Sequence, residues 1–444
     1  MRHVPLLMLA LLVSPPAGAE GHYSSKTPYQ PLQSSSSYEA APAGYEPVQT
    51  QIVARHGSRG MTGAKAEQQL LKLWQQAQQQ DALTPLGREL GPDLERLNAA
   101  HAKLGYGNLS QIGIEEHRQL ARRLAARLPA LFKRLAAQPG SVQVLNSGVD
   151  RARDSAASFS ESLGAAVPGL VLAEPQVDRF TLYFHKLNAK SDTLTNPQDP
   201  RWAVFRHSQA YQAHQRSPEL SSRLAAIKAD PRLAAAAERT LAALFKPAFL
   251  AQQQLMKPLD ALFALSDVYE IAPGLQRELG FSFDRYLPED VAVLLEEAND
   301  AEDFYVKGPG TREQDAVSYA MAEGLLADFL AAAERRDTAR LRFTHAEILM
   351  PFVTLLGIQG LSEPLPAAQA YSHASSRWRA RDAAPYAANV QWDSFRNAEG
   401  RVLVRMLLNE KETDFKPSCG AARQAPGSHF YELSGLKACY AAKP

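Results

Sequence analysis

The pattern of hydrophobic and polar residues predicts three short strands, each followed directly by glycine or charged side chains. Short apolar or alternating stretches that run into polar loops, with helical patterns between them, are typical of an α/β protein. If these strands are parallel neighbours, their carboxyl ends meet at the edge of the sheet where α/β proteins bind ligands. The predicted strands are residues 51–54, 141–147 and 340–343.

Apolar residues at helical spacing fill much of the remaining chain. Residues 64–80 and 86–104 predict two helices, the second broken near Gly91 and Pro92, because both residues disfavour a helix interior. Ser110 can cap a third helix, whose leucines recur along one face. Three arginines lie off that face and are expected to be solvated: Arg122, Arg123 and Arg127.

The strand-like stretches disappear in the middle of the chain. Residues 178–336 are rich in Ala, Leu and Gln at helical spacing, which predicts an α-helical insertion. The two parts of an α/β core, residues 48–177 and 337–444, are expected on either side of it. Further strands are predicted at 167–174, 390–395 and 401–408, and a solvated strand end at 409–412.

The N-terminal segment has the pattern of an export signal. Arg2 precedes an apolar run at residues 4–13, which is too short to span a bilayer, and an A-x-A cleavage site ends at Ala19. We therefore expect a signal peptide at residues 1–19 and secretion into a bacterial periplasm. Residues 20–47, rich in Ser, Tyr and Pro, predict an extended arm or linker.

The chain has 444 residues, of which 45% are hydrophobic, and its 48 basic and 47 acidic side chains give a formal net charge of +1. This composition allows a sizeable core and argues against global disorder. The balanced charge gives no support for nucleic-acid binding as a property of the whole protein. Any preference for anions must therefore be local.

The two cysteines, Cys419 and Cys439, lie close together near the end of the chain. An oxidising compartment favours a disulfide between them, and a loop of that size gives about 3 kcal/mol in the chain-entropy model. The alternative is a pair of free buried thiols.

The loop after the first strand concentrates positive charge around one histidine. Arg55, His56 and Arg59 lie on it, and Gly57 and Gly60 mark its turns. A guanidinium matches phosphate oxygens two at a time, and neighbouring positive charge keeps an imidazole neutral. A neutral His56 beside a held phosphate can attack phosphorus, so the loop predicts phosphate chemistry. The alternative is an ordinary solvated basic loop.

Suitable side chains also follow the other two strands: Arg151 after the second, His345 and Glu347 after the third. We prefer Arg151 to Arg153 because it is closer to the strand end. With the first loop, they place three arginines, two histidines and one carboxyl group around one phosphate. This set suits phosphomonoester hydrolysis without a metal or another cofactor. Glu347 would protonate the leaving alkoxide and then activate water.

Two features of the predicted insertion bear on ligands. Lys307 lies in a predicted tight turn, where it is a candidate to contact a substrate phosphate or, alternatively, an exposed turn lysine. The insertion also contains His185, His207 and His214. None of these has metal-ligand spacing with another His, Cys or carboxylate, so no metal site is predicted.

The motif Arg-His-Gly-x-Arg at residues 55–59 resembles the active-site signature of the histidine acid phosphatases. The family's usual ending is Arg-x-Pro; this chain continues with Gly60 and lacks the proline, which leaves the rigidity of the loop open. Residues 108–132 and 147–156 are similar to segments of the second branch of that family. At 345–347 the sequence His-Ala-Glu, where most members have His-Asp, resembles the multiple inositol polyphosphate phosphatases.

The resemblance implies a sheet flanked by helices, with the helical insertion over the site. It implies that His56 is the nucleophile, forming a phosphohistidine, and that Glu347 is the proton donor. The substrate implied is an inositol polyphosphate such as phytate. Two alternatives stay open: a broad-specificity acid phosphatase for sugar phosphates, and a non-catalytic protein that binds phosphate esters. The residues implied to bind phosphate are Arg55, Arg59, Arg151 and His345.

Overall fold

The computed structural model describes residues 21–442, so the predicted signal peptide lies outside the described residues. Its strands form one mixed sheet, and no helix in residues 21–442 is long and apolar enough to cross a membrane. The strands are β1 Glu46–Arg55, β2 Val142–Asn146, β3 Gln176–Val177, β4 Thr338–Thr344, β5 Asn389–Arg396, β6 Val402–Leu408, β7 Lys411–Thr413 and β8 Phe430–Glu432.

The strand order in the sheet is β3-β2-β4-β1-β5-β6-β7, with β8 paired to β6. The three strands first predicted from the sequence are β1, β2 and β4, and they are parallel neighbours, with β4 in the middle. The remaining part of the sheet, from β5 to β8, is antiparallel. Since Arg55 at the end of β1 pairs with Thr344 at the end of β4, the loops after these strands leave the sheet side by side.

Helices surround the sheet. Before β3 come α1 Lys65–Gln79, α2 Pro85–Leu104, α3 Gln111–Arg127, α4 Pro129–Ala136 and α5 Asp150–Ala166. Between β3 and β4 come α6 Arg179–Leu182, α7 Arg201–His214, α8 Pro218–Lys228, α9 Pro231–Leu244, α10 Pro247–Gln252, α11 Pro258–Ile271, α12 Gln276–Leu279, α13 Glu289–Val306 and α14 Glu323–Ala332. After β4 come α15 Ala346–Leu355, α16 Ala380–Ala383 and α17 Leu433–Ala441.

The hydrophobic core has three parts. Ile52 of β1 packs with α3, α4 and α5, and its neighbour Val53 packs with α14 and α15, because successive residues of a strand point to opposite faces. The third part contains α1 and α2 packed against α9, α11 and α13. This helical layer therefore draws on residues 65–104 as well as on the long helical segment between β3 and β4.

The predicted break in the second helix is wrong, because α2 runs unbroken through Gly91 and Pro92. A Cβ added at Gly91 would lie 2.2 Å from the ring of Trp74, so this glycine lets α1 pack closely on α2. Proline removes one helical hydrogen bond, but the fully buried Leu90 and Leu94 on either side keep this stretch of the helix in the core.

The strand predicted at 167–174 is also wrong. Only Leu172 makes a bridge there, to Val142, and the short strand β3 begins at Gln176. The apolar residues of this stretch follow the end of α5 and contribute Leu170 to the core from an irregular segment. Burial without strand pairing produces the same apolar pattern, so periodicity alone misleads here.

Two charged residues predicted to be solvated, Arg127 and Glu410, are buried instead, whereas Arg122 and Lys411 are exposed as predicted. The Arg127 side chain is 4% exposed and donates to Asp393 Oδ1 at 3.0 Å. Glu410 is buried too; it accepts from Arg123 Nη2 at 2.7 Å and from the hydroxyl of Tyr29 at 2.8 Å. These charges lie at the interface of α3 with the sheet, where each has a partner that the local sequence does not reveal.

The N-terminal arm packs against the rest of the molecule from residue 21 onward. Tyr29 is buried, the main-chain N–H of Leu32 donates to Asn409 O at 3.0 Å, and Ser24 Oγ donates to Asp300 Oδ1 at 2.8 Å. Lys26 Nζ lies 2.8 Å from Glu270 Oε2. The arm thus contacts both the sheet and the helical layer.

Candidate active site

The loop that carries His56 is fixed by the backbone of its neighbours. The His56 N–H donates to Thr344 O at 2.8 Å, and its carbonyl accepts from the N–H of Ala387 at 3.0 Å. The next residue, Gly57, packs on Gly113 of α3, since a Cβ at Gly57 would lie 2.3 Å from the Gly113 carbonyl oxygen. Glycine is therefore required at both positions for the loop to approach α3.

The buried carboxylate of Glu116 also holds this loop. Glu116 of α3 accepts from the N–H of Ser58 at 2.7 Å and from its hydroxyl at 2.8 Å. The N–H of Tyr29 also donates to Glu116, at 2.9 Å, so the N-terminal arm shares this anchor. The sequence analysis does not identify Glu116, because a single glutamate in a helix gives no signal of such a contact.

His56 has the protonation state that a nucleophile needs. Its Nδ1 lies 3.0 Å from the carbonyl oxygen of Gly57, which places the ring proton on Nδ1 and the lone pair on Nε2. Burial lowers the pKa of His56 well below its usual value, and the charges of Arg55 and Arg59 lower it further. The imidazole is therefore neutral at neutral pH.

Three guanidinium groups approach this histidine, and the Nε atom of each is buried with no hydrogen-bond partner in the described part of the chain. Arg55 also donates from Nη1 to Ala384 O at 2.6 Å, and Arg59 donates to Gly60 O at 2.7 Å. Burial lowers the pKa of Arg55 to about 10, so it stays charged at neutral pH. Three guanidinium groups that keep unused donors and surround one buried histidine make an environment suited to an anion. The third is Arg151, at the start of α5.

Arg151 and Arg153 differ sharply in their surroundings. Burial lowers the pKa of Arg151, as does the charge of Arg59, which places Arg151 within the cluster. The Arg153 side chain is 55% exposed, forms an ion pair with Asp150 and donates to Gly148 O at 3.2 Å. Of the two, Arg151 is the one that faces His56.

His345 comes directly after β4 and begins α15. Its ring centroid lies 5.4 Å from that of His56, and its Nε2 lies 2.8 Å from the hydroxyl oxygen of Ser147. Burial lowers the pKa of His345 to about 3, and the charge of Arg151 acts in the same direction. A neutral His345 that accepts from Ser147 has its other ring N–H left to donate to a phosphate oxygen.

Glu347 follows in the first turn of α15. Burial raises its pKa, but the positive charge of Lys307, with smaller contributions from its interactions with His185 and His345, outweighs burial and brings the pKa well below its usual value. The carboxyl group is therefore ionised in the ligand-free protein. A bound phosphate brings negative charge that opposes this effect, so substrate binding favours the protonated form that an acid catalyst requires.

Lys307 lies in a turn directly after α13, as predicted, but it is not the exposed lysine that the sequence allowed as an alternative. Helix α13 continues to Val306, and Lys307 Nζ lies 2.7 Å from Asp303 Oδ1 with its side chain only 22% exposed. Its effect on the pKa of Glu347 places it on the side of the helical layer that faces the site.

The helical segment contributes a further histidine that the sequence analysis considered only as a metal ligand. The ring centroid of His185 lies 6.5 Å from that of His345, and the Tyr183 ring lies 4.7 Å from His185 and 5.6 Å from His345. Burial lowers the pKa of His185 to about 4. Nothing in the local spacing of His185 could have indicated this position. In residues 21–442, no group of three or more His, Cys, Asp or Glu side chains is arranged to hold a metal ion.

A cleft of about 690 Å³ opens beside Arg59. Positively charged side chains on its walls come from three separate segments, and acidic residues of α11 line the same cleft. The cleft adjoins Arg59 with a mixture of basic and acidic side chains, and Lys26 is already paired with Asp267 and Glu270. The lysines are Lys26, Lys65 and Lys228.

The two cysteines lie apart from this chemistry. A disulfide joins Cys419 to Cys439, linking the turn at 417–422 to α17.

The histidine–arginine cluster lies at the carboxyl ends of the parallel strands β1, β4 and β2, next to the helical layer. This arrangement defines an enzyme of the histidine acid phosphatase class. The chain belongs to the histidine phosphatase superfamily (branch 2), whose family model matches residues 48–409. The resemblance of the motif to this family is therefore confirmed, and so is the predicted α/β fold flanked by helices.

Similar proteins include multiple inositol polyphosphate phosphatases. Two structures of the Bifidobacterium longum multiple inositol polyphosphate phosphatase, in complex with inositol hexasulfate and with phosphate, are each 29% identical, cover 95% of this chain and 97% of that chain, and give TM-scores of 0.84 and 0.86. Multiple inositol polyphosphate phosphatase 1 of Homo sapiens is 26% identical over 391 residues, 82% of this chain and 74% of that protein. The Gallus gallus protein is 25% identical over 445 residues, 94% of this chain and 90% of that protein.

Proposed function

We propose that this protein hydrolyses inositol polyphosphates such as phytate through a phosphohistidine intermediate, without a metal. The observation that carries the proposal is the buried His56, with its ring proton on Nδ1, surrounded by the positive charges of Arg55, Arg59 and Arg151. The similarity to a phosphatase crystallised with inositol hexasulfate supports the choice of substrate. Lys65 and Lys228 line the cleft beside Arg59 and are candidates to contact further phosphates on the same molecule, whereas Lys26 is paired with Glu270.

The proposed reaction has two steps. His56 Nε2 attacks phosphorus while the arginines hold the non-bridging oxygens and offset the charge of the transition state. Glu347 gives a proton to the leaving inositol oxygen as the P–O bond breaks. The same carboxylate then takes a proton from water, which attacks the phosphohistidine and releases inorganic phosphate and free His56. The positive charge that a metal would provide comes from Arg55, Arg59 and Arg151.

The test compares phosphate release from phytate with release from para-nitrophenyl phosphate and sugar phosphates, in the presence of EDTA and with product isomers resolved. We expect turnover of phytate that EDTA does not reduce. His56→Ala should abolish it, while His207→Ala, a matched histidine that is 39% exposed in the helical segment, should not. Protein quenched during turnover should carry an acid-labile, base-stable phosphate on His56.

Three outcomes would change the proposal. Equal kcat/KM for phytate and simple sugar phosphates would favour a broad-specificity acid phosphatase. Binding of phosphate esters without turnover would favour a binding protein, although the carboxyl group of Glu347 beside His345 argues against this. Activity lost in EDTA and restored by a divalent ion would contradict metal independence.

We also propose that the protein is secreted into a bacterial periplasm after removal of residues 1–19, on the basis of the N-terminal sequence. Intact-mass measurement of protein from the periplasmic fraction should give a chain that begins at Glu20. A chain that keeps its first residues and stays in the cytoplasm would contradict the proposal.

A further inference from the structure

Two buried side chains that have no part in the chemistry above hold the loop that carries Arg59. Glu67 of α1 is 1% exposed and His101 of α2 is fully buried. Glu67 Oε2 lies 2.7 Å from His101 Nδ1. On the other side of the ring, the main-chain N–H of Met61 donates to His101 Nε2 at 3.0 Å. The imidazole therefore links two helices to the backbone two residues after Arg59.

The hydrogen bonds fix one tautomer of this histidine. Nε2 can accept from Met61 only when it carries no proton, so the ring proton lies on Nδ1 and is donated to Glu67. The hydroxyl of Tyr106 donates to the other oxygen of Glu67, and its ring stacks on His101 with centroids 5.0 Å apart. The carboxylate is thus held by two donors and keeps the imidazole in one orientation.

The backbone of the loop is also paired on its other side. Gly60 N–H donates to Asn108 O at 3.1 Å, and Gly107 N–H donates to Met61 O at 2.7 Å. Gly60 lies so close to His101 that an added Cβ would be 2.9 Å from the ring carbon Cδ2. The segment after Arg59 is therefore held between residues 107–109 on one side and the His101 ring on the other.

We propose that Glu67 and His101 are positioning residues that set the place of Arg59 for phosphate binding. The proposal rests on the proposed function, since it assumes that Arg59 binds the phosphate that His56 attacks. Without an acceptor at His101 Nε2, the buried N–H of Met61 loses its partner and the loop can shift. A displacement of about 1 Å in a binding group can cost on the order of 100-fold in rate.

A pair of double-mutant cycles tests this role, with kcat/KM for para-nitrophenyl phosphate as the readout. His101→Leu alone should lower kcat/KM by roughly 10- to 100-fold. Added to Arg59→Ala, it should cost less than about twofold, because residues that act through one another are not additive. Added to Arg151→Ala, a matched arginine on another element, it should lower kcat/KM by its full factor. His101→Gln, which keeps an acceptor near the position of Nε2, should recover most of the activity.

The outcomes separate this proposal from a general loss of stability and from the proposed function. Equal losses in the Arg59→Ala and Arg151→Ala backgrounds, or no loss at all, would overturn it. If thermal unfolding shows that His101→Leu does not fold, the same double-mutant cycles are measured with Glu67→Gln in its place, and the same outcomes apply. Absence of turnover by the wild-type protein would overturn the proposed function instead. The double-mutant cycles would then use the Kd for inorganic phosphate in place of kcat/KM.

Discussion

At the scale of single residues, the site uses side chains that are close in sequence in very different ways. Arg151 turns toward His56 and leaves its Nε without a partner in the described part of the chain, whereas Arg153 is exposed and paired with Asp150. Arg151 and Arg153 are two residues apart in the first turn of α5 and so point to different sides of the helix. The same turn therefore provides both a binding group and a surface ion pair.

We predict that Arg151→Ala lowers kcat/KM for a phosphomonoester by roughly 100-fold or more, because one donor to the transition-state charge is lost. Arg153→Ala serves as the matched control and should change kcat/KM less than about threefold, as expected for an exposed pair. Steady-state kinetics on the two variants checks the prediction, and the reverse order would show that Arg153 is the phosphate ligand.

Glu347 offers a second prediction at this scale, because its role depends on the leaving group. An inositol alkoxide needs a proton as the P–O bond breaks, whereas para-nitrophenolate needs little help, and general acid catalysis gives typically ~10² to 10⁴-fold where it is required. Glu347→Gln should therefore slow the pre-steady-state burst with phytate far more than the burst with para-nitrophenyl phosphate. Equal damage to both bursts would mean that Glu347 acts by position rather than as an acid.

At the scale of elements, buried charges join α3 to the sheet. Asp393 of β5 is fully buried and pairs with Arg127 of α3 at 3.0 Å and with Arg405 of β6 at 3.1 Å, and it accepts from Thr50 of β1 at 2.8 Å. Burial raises the pKa of Asp393, but the two arginines outweigh burial and leave it below its usual value. This cluster connects the antiparallel half of the sheet to the helix that supports the His56 loop.

We predict that Asp393→Ala lowers the free energy of unfolding by about 3–5 kcal/mol, because it leaves the buried guanidinium of Arg127 without an acidic partner, while Arg405 keeps Glu412. Asp290→Ala, which removes an exposed ion pair with Arg239, should cost less than about 1 kcal/mol. Because the folded pKa of Asp393 is lowered, its contribution is present above the ordinary Asp pKa of about 4 and is lost as pH falls through the folded value. Denaturant unfolding at neutral and at acidic pH should therefore show the difference between wild type and variant shrink in acid.

At the scale of the whole molecule, the two ends of the described chain are each fixed to distant parts of the structure. The N-terminal arm contacts β7 and the turn before it, where Gln33 Nε2 donates to Glu412 Oε2 at 3.2 Å, and the helical layer, where Lys26 meets Glu270. At the other end, the disulfide ties α17 to the turn that follows β7.

We predict that Cys419→Ser combined with Cys439→Ser lowers the free energy of unfolding by about 3 kcal/mol, the chain-entropy value for a loop of this size. Wild-type protein treated with reductant should unfold at the same denaturant concentration as the double variant. Alkylation without reduction should label neither cysteine in protein from an oxidising compartment. Full labelling of both would show that the pair exists as free thiols there.

The sequence by itself determined the parts of this protein that depend on local pattern. Three strands, the polar residues at their ends and the Arg-His-Gly-x-Arg motif are readable because strand periodicity and loop composition are local properties. The sheet hairpin of β5 and β6 is readable for the same reason, and its predicted strands are confirmed. These features were enough to point to the family and to the candidate residues.

Tertiary structure alone decided the features that depend on contacts between distant segments. The sequence could state the parallel arrangement of β1, β4 and β2 only as a condition, although it is what brings Arg55, Arg151 and His345 together. The loop after Arg59, which lacks the family's proline, is held instead by His101 on α2 and by backbone hydrogen bonds to residues 107 and 108. Arg127 and Lys307 looked exposed because a charged residue in a helix or turn reads as solvated until its buried partner, supplied by another part of the chain, is known.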